Sequence, residues 1–459
     1  VHDMPQMPAF PAPVHLLRTG KATDWDRRLI VENAPAFAII GEPVELTLRI
    51  ENQGAFPPEE THTKLSITVG ADAPMMFDMP IGRDIKLPVT LSHGGRNLLK
   101  FEIPEAEGEI TARNNSYLLE MNGVRDRLRV LLVSGEPHAG GRTWRNLLKS
   151  DSSVDLVHFT ILRPPEKHDG VPVGELSLIA FPTRELFVDK ITDFDLIIFD
   201  RYKRRGILPA IYLDNVRDYV RGGGAVLVAT GPDYASADSI YRSPLGDVLP
   251  GKPTARVLEQ GFQPMITALG DRHPVTRGLT EDSAAPDWGR WMRQIEVEHT
   301  SGDVVLTGVG ERPLLILDRV EQGRVALLAS DHAWLWARGF EGGGPQLELL
   351  RRLSHWMMRE PELEEEALSA EPIEGGLKII RRSLLSAPEA VLLTSPSGAT
   401  SLHELVETSP GVFEAEVLSD EQGLFRLESG EQVSVAGLGP ASPREFVTTI
   451  ATNARLEPL

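Results

Sequence analysis

The chain has 459 residues, a formal net charge of −19 and no cysteine. Its length predicts about three domains, and it has no apolar run near the ~20 residues of a membrane-spanning helix. Without cysteine, disulfides, thiolate metal sites and a cysteine nucleophile are excluded. The acidic balance argues against nucleic acid or an anionic membrane surface as a partner. The chain starts at Val1 without an initiator methionine, and we expect an excised part of a longer protein.

The N-terminal quarter has a β pattern. Residues 1–27 are rich in proline, which predicts an extended segment. Over residues 44–50, apolar side chains then alternate with polar ones, and this period of two is typical of a half-buried strand. Further strand candidates follow at about ten-residue spacing. We therefore predict an immunoglobulin-like β-sandwich over residues 28–126.

The pattern changes over residues 127–360. Leu128–Val133, Phe194–Phe199 and Ala225–Thr230 are short, almost entirely apolar runs, as in strands buried on both faces of a parallel sheet. Residues 209–220 and 345–358 show the apolar spacing of amphipathic helices. Strands alternating with helices predict an α/β domain with a central doubly wound, mostly parallel sheet of flavodoxin-like topology.

An acidic, linker-like stretch, Glu362–Glu366, follows the last predicted helix. After it the β pattern returns, with turn sequences such as Pro396-Ser397-Gly398 between the candidate strands. We predict a second, smaller β-sandwich of immunoglobulin type over residues 368–459. Residues 361–459 hold 6 basic and 17 acidic groups, so the acidity is concentrated in this segment.

Several phrases of the central region match a known pattern in order. They are DFDLIIFDRY, YVRGGGAVLVATGPD, HPVTRGL and GRVALLASDHAWLW. This region resembles the class I glutamine amidotransferase-like superfamily, in its putative glutamine amidotransferase and trehalose-utilisation-like branches. The later phrases LLRRLSHWMMREPELEEE and ASPREFVTTIATNARLEPL are similar to large bacterial inner-membrane proteins with von Willebrand-type regions. The resemblance implies a periplasmic region, held at the membrane by segments outside this chain.

The resemblance also implies a nucleophile elbow, which should lie at Thr230, Gly231, Pro232 and Asp233. A glutaminase needs a thiolate there, a histidine to activate it and an acid to orient the histidine. The chain has no cysteine, and Pro232 removes a backbone N–H of the kind that forms oxyanion holes. We therefore predict a degenerate site without glutaminase activity, in which His332 and Asp331 are remnants of the acid–base pair.

Polar residues follow the predicted strands, where open α/β sheets bind ligands. Three carboxylates and two histidines could bind a divalent metal or act as acid and base, but Asp and Ser also cap loops and helices routinely. The capping interpretation is favoured, because no spacing forms a tight metal motif, so no metal or cofactor is predicted. A basic run beginning at Arg201 is interpreted as a solvated loop. The weak metal candidates are Glu136, His138, Asp200 and Asp233.

Two functions follow from these observations. The first is a non-catalytic extracytoplasmic region that binds a protein partner or senses a ligand. The alternative is a hydrolase or carbohydrate-acting protein that uses the Asp, His and Glu side chains at the strand ends. The alternative requires Asp233, His332 and either Glu136 or Asp200 to converge on one pocket.

Overall fold

The computed structural model describes residues 20–91, 94–125, 127–160, 182–204, 208–280, 287–439 and 449–450. Most of the predicted extended segment and the end of the chain lie outside these ranges. Strands make up 44% of the structure and helices 18%. Among the described residues, no helix is long and apolar enough to cross a membrane.

The N-terminal strands form two facing sheets. A three-stranded sheet has the order β1-β3-β6, and a five-stranded sheet has the order β2-β8-β7-β4-β5. Alternate side chains of β3, such as Leu46 and Leu48, are fully buried between the sheets, as their period of two predicts. The result is sandwich-like. The strands are β1 (Trp25–Asn33), β2 (Phe37–Ile39), β3 (Pro43–Gly54), β4 (His62–Val69), β5 (Met75–Pro80), β6 (Asp84–Thr90), β7 (Gly95–Glu102) and β8 (Ser116–Val124).

The central region is built on an eight-stranded sheet of order β10-β9-β11-β12-β18-β17-β16-β14. A separate antiparallel pair, β13 and β15, lies beside it. The strands are β9 (Leu128–Ser134), β10 (Val154–Thr160), β11 (Leu196–Asp200), β12 (Ala225–Ala229), β13 (Gly251–Leu258), β14 (Met265–Ile266), β15 (Gln294–His299), β16 (Asp303–Thr307), β17 (Pro313–Val320) and β18 (Gly323–Leu328).

The prediction of a doubly wound, mostly parallel sheet of flavodoxin-like topology is wrong. Within the described part of the central sheet, β10, β9, β11, β12 and β18 run parallel to one another, whereas β14, β16 and β17 pair in antiparallel fashion. The physical reason lies in the connections. A two-residue turn joins Val320 to Gly323, and such a turn can join only antiparallel strands. The molecule is mostly β, with several antiparallel sheets.

Four α-helices are assigned in the described residues: α1 (Gly141–Ser150), α2 (Ala210–Arg221), α3 (Trp334–Ala337) and α4 (Gln346–Met357). Helices α1 and α4 bury Trp144, Leu353 and Trp356 in one core of the central sheet. Helix α2 buries Leu213 and Val216 in the other core. The two helices predicted over residues 209–220 and 345–358 correspond to α2 and α4.

The C-terminal strands form two four-stranded antiparallel sheets, β19-β20-β24-β23 and β22-β21-β25-β26. They enclose a small core that includes Leu377, Ile379 and Phe425. This part is again sandwich-like. The strands are β19 (Ala367–Ile373), β20 (Gly376–Arg382), β21 (Val391–Thr394), β22 (Thr400–His403), β23 (Val406–Ser409), β24 (Val412–Leu418), β25 (Gly423–Ser429) and β26 (Gln432–Leu438).

Residues 361–366, called the junction below, are not a free linker. Glu364 accepts hydrogen bonds from Arg319 at 2.8 Å and from the buried Arg324 at 2.5 Å. Glu365 is buried and accepts a 2.9 Å hydrogen bond from Trp356 Nε1. The acidic run is therefore docked on the central region by arginines and a tryptophan.

Candidate functional site at the strand ends

The carboxyl ends of the parallel strands place polar side chains together. His138 follows β9, Asp200 ends β11, and Asp331 and His332 follow β18. Because β9, β11, β12 and β18 are neighbours in that order, these ends meet at one edge of the sheet. We call the six residues brought together here the strand-end cluster: His138, Asp200, Arg201, Arg293, Asp331 and His332.

His138 and Asp200 form a buried pair. His138 Nε2 lies 3.0 Å from Asp200 Oδ2 and 3.2 Å from Oδ1. The Nδ1 atom of His138 accepts a hydrogen bond from the backbone N–H of Gly140 at 3.2 Å, so the proton is assigned to Nε2 and donated to the carboxylate. Only 6% of the His138 side chain and 2% of the Asp200 side chain are exposed. The carboxylate is therefore engaged and shielded from solvent.

Asp331 is held by two arginines. Its Oδ2 atom lies 3.3 Å from Arg201 Nη1 and 3.3 Å from Arg293 Nη1. Its Oδ1 atom is buried without a hydrogen-bond partner among the described residues. Two cations thus compensate one buried carboxylate, which offsets the cost of removing its charge from water.

His332 lies beside Asp331 but makes no hydrogen bond to it. The separation from His332 Nε2 to Asp331 Oδ1 is 3.7 Å. His332 Nδ1 accepts the backbone N–H of Met292 at 3.1 Å, which fixes the ring. Burial lowers the pKa of His332, and the positive charges of Arg293 and Arg201 lower it further, against the opposing effect of Asp331. The ring is therefore neutral at pH 7.

The backbone at the end of β11 is tightly constrained. Arg201 has a φ of 48°, a left-handed conformation that is uncommon for a residue with a side chain. Its carbonyl oxygen would lie 2.1 Å from a Cβ atom at position 135, so only glycine fits at Gly135. This close packing fixes the path of Arg201, whose guanidinium reaches Asp331.

The predicted elbow residues lie beside this cluster. Thr230 Oγ1 donates to the Leu328 carbonyl at 3.0 Å, and Pro232 begins a short 3₁₀ turn. Gly231 is extended, with a φ of −119°. Asp233 pairs with Lys203 at 2.9 Å. The turn thus presents no acid toward the cluster, because Asp233 is engaged by Lys203.

The space at the strand ends is very small. His138, Asp200 and Asp331 line one cavity of about 10 Å³, near the lower limit for a single water molecule. Asp233, His332 and Glu136 do not line it. This cavity therefore does not bring together the three residues that the hydrolase alternative requires. No group of three His, Asp or Glu side chains that could hold a metal ion occurs in the part of the chain that the structure describes.

Two members of the cluster, Arg201 and Arg293, are not among the predicted site residues. The sequence pattern predicts a solvated loop at Arg201, although only 15% of its side chain is exposed. Arg293 precedes β15 and carried no sequence signal, because its approach to Asp331 depends on long-range packing. Glu136, a metal candidate, is half-buried, and its backbone N–H lies 3.4 Å from the Arg201 carbonyl oxygen.

No protein-family model and no curated protein matches this chain. Among solved structures, two cytoplasmic proteins from Salmonella typhimurium are 17% and 14% identical, with TM-scores of 0.37 and 0.36. Each match covers 50% of this chain and 99% of the other. A CARDB domain from Pyrococcus furiosus, solved with di-metal ions, is 13% identical over 22% of this chain and 88% of its own, with a TM-score of 0.18. Similarities this weak indicate nothing about function. The amidotransferase-like resemblance stays a prediction.

Proposed function

We propose that this chain is a non-catalytic interaction or ligand-sensing region, built on a strand-end site that is closed and internally neutralised. The observation that carries the proposal is the pairing of every acid in the cluster. Asp200 accepts from His138, Asp331 lies against Arg201 and Arg293, and the cavity between them is about 10 Å³. A general acid or base must reach a substrate proton within hydrogen-bond distance, and this space holds about one water molecule.

The missing cysteine supports the same proposal. An amidotransferase-like mechanism needs a thiolate nucleophile, and the chain contains none. The strand-end cluster is then a structural network, in which charge-assisted hydrogen bonds and ion pairs tie the ends of β9, β11 and β18 to the residue before β15. The envelope location and protein partner implied by the resemblance are part of the proposal, with membrane attachment through segments outside this chain.

Activity assays test the non-catalytic role. The purified chain is incubated with glutamine, with a nitrophenyl ester and with a set of nitrophenyl glycosides, beside a buffer blank. The expected result is no turnover above the blank. Turnover that disappears in Asp200→Asn, a variant that keeps the shape of the side chain, would overturn the proposal in favour of a hydrolase.

Protease accessibility tests the location. The full-length protein is expressed in bacteria, and the cells are converted to spheroplasts and treated with an added protease. Digestion of this region in intact spheroplasts supports an extracytoplasmic position. Protection there, with digestion only after lysis, places the region inside the cell and contradicts that part of the proposal.

A further inference from the structure

A second, open cavity lies away from the strand ends, beside helix α4. Its volume is about 530 Å³, within the range of small-molecule sites. The turn that contains Arg277 forms one wall, and α4 and the start of the junction form the others. The lining residues are Pro274, Arg277, Arg351, Arg352, His355, Glu360, Glu362 and Leu363. We call it the arginine cavity.

Arg277 is a partly buried cation that lacks a counter-ion among the described residues. Its guanidinium forms no ion pair within those ranges, and its Nη1 atom is buried there without a hydrogen-bond partner. The neighbouring charges of Arg382 and Arg352 are also positive, and together with burial they lower the pKa of Arg277. A partly desolvated charge that faces like charges is costly, unless an anion compensates it.

The other cations of the cavity are only partly neutralised. Arg352 pairs with Glu348 at 2.6 Å, and Arg351 lies 3.5 Å from the same carboxylate. One carboxylate thus serves two guanidinium groups. Two carboxylates also line the cavity: Glu360, which lies 3.9 Å from His355, and Glu362. The three arginines of the lining exceed these two carboxylates by one positive charge, in a chain whose net charge is −19.

The position of Arg277 is fixed from the backbone. Arg352 Nη1 donates to the Arg277 carbonyl at 2.6 Å, and the Arg277 N–H donates to the His273 carbonyl at 2.8 Å. The backbone that carries the Arg277 side chain is therefore part of a rigid turn, which is tied to α4. Pre-positioned donors bind an anion at a lower entropic cost than flexible ones do.

We propose that the arginine cavity binds a small phosphate compound, with Arg277, Arg351 and Arg352 as its donors. Several guanidinium groups around one cavity fit the two negative charges and three acceptor oxygens of a phosphate monoester better than the single charge of a carboxylate. The proposal deepens the ligand-sensing role given above and rests on it. It does not involve the strand-end cluster.

Calorimetric titration of the whole chain tests this site. The probes are inorganic phosphate, pyrophosphate and glycerol phosphate, each against chloride at equal ionic strength. We expect binding of at least one phosphate probe, weakened about tenfold or more in Arg277→Gln, because a hydrogen bond to a charged group is lost. The matched control is Arg83→Gln, which changes an exposed arginine in the turn between β5 and β6 and should bind as the wild type does.

A thermal unfolding scan in phosphate-free buffer shows whether Arg277→Gln folds. If it does not, Arg351→Gln replaces it, because 54% of the Arg351 side chain is exposed and its loss leaves no buried gap. Stronger binding of glycerol phosphate than of inorganic phosphate indicates an organic phosphate ligand, and the reverse indicates the free ion. The proposed site is contradicted if no probe gives heat of binding, or if the wild type and the cavity variant, Arg277→Gln or Arg351→Gln, bind the probes equally. Neither outcome changes the activity assays, which alone decide the non-catalytic role.

Discussion

Two buried histidine–carboxylate pairs, one at the strand ends and one at the junction, are built by the same local device. His138 and His273 each accept, at Nδ1, the backbone N–H of the residue two positions later, at 3.2 Å in both cases. Each then presents Nε2 to a carboxylate, Asp200 at 3.0 Å and Glu365 at 3.3 Å. The local sequence thus fixes the tautomer in both places.

The surroundings of the two pairs differ. Glu365 also accepts a hydrogen bond from Trp356 Nε1 at 2.9 Å and one from Arg319. Burial raises the pKa of Glu365, but the hydrogen bonds from His273 and Arg319 outweigh it and hold the pKa well below its usual range. Asp200 instead borders the small strand-end cavity. A buried histidine–carboxylate pair is therefore not by itself evidence for catalysis, since the one at the junction fastens two parts of the chain.

Breaking the junction pair should have the largest effect. Glu365→Ala leaves His273 and Trp356 Nε1 buried without their acceptor, and we expect a loss of about 3–5 kcal/mol in the free energy of unfolding, as when one partner of a buried ion pair is removed. Denaturant unfolding measures it. Glu374→Ala, in the exposed turn between β19 and β20, is the control and should change the free energy by less than about 0.5 kcal/mol. Equal unfolding midpoints for the two variants would show that the contacts of Glu365 do not stabilise the fold.

The low pKa of Glu365 gives this prediction a pH dependence. The contribution of the carboxylate is fully present above its unfolded pKa of about 4.3 and is lost as the pH falls toward the folded value. The difference between the wild type and Glu365→Ala should therefore shrink below about pH 4. A difference that stays constant from pH 7 to pH 3 contradicts the ionised pair.

Breaking the strand-end pair should destabilise the fold less than Glu365→Ala does, because only Asp200 loses a partner. His138→Ala leaves Asp200 buried with its charge unpaired, and we expect a loss of about 3 kcal/mol. The double variant His138→Ala/Asp200→Asn removes the buried charge and should recover about 1 kcal/mol or more of that loss. Both are measured by denaturant unfolding. If the double variant were as unstable as the sum of its single changes, the two side chains would not be coupled.

The sequence predicted local structure well and the relations between elements poorly. The alternation over residues 44–50 lies within β3, and the helical spacing over residues 209–220 corresponds to α2. The apolar runs of β16 and β17 look like those of parallel strands, because burial on both faces produces the same composition whatever the strand direction. The direction of a strand depends on the connections between strands. The two-residue turn between β17 and β18 was the sequence feature that indicates an antiparallel pair.

The same limit applies to charged residues. Glu362–Glu366 has the composition of a solvated linker, and only the folded chain brings Arg319 and Arg324 to it. Arg293 and Asp331 are 38 positions apart and meet only through packing. Sequence reasoning placed His138, Asp200 and Asp331 at the strand ends, but it could not show that arginines and a histidine already engage the carboxylates.

A third histidine, His355, lies between the carboxylates of Asp151 and Glu360, and its contribution to stability should respond to pH in the opposite direction from that of Glu365. Glu360, 3.9 Å away, and Asp151, which is hydrogen-bonded to the ring at 2.6 Å, raise the pKa of His355 against the effect of burial. Its contribution is thus full below its unfolded pKa of about 6.5 and is lost as the pH rises through the folded value. We expect His355→Gln to lose about 1 kcal/mol at pH 5.5 and much less at pH 9. His62→Gln, an exposed histidine of β4, is the control, and the same loss at both pH values would contradict the pairing.

Substitution of His332 should change stability least, and its pH dependence should run opposite to that of His355. Because burial and two arginines lower its pKa, the unfolded chain binds a proton more readily than the folded one. The wild type therefore loses stability as the pH falls below about 6.5, whereas His332→Gln has no such proton to bind. The variant should lose less stability than the wild type between pH 7.5 and pH 5.5, by about 1 kcal/mol or less, in denaturant unfolding at both pH values. Equal losses in the two proteins would contradict the lowered pKa of His332 and the burial of the ring that causes it.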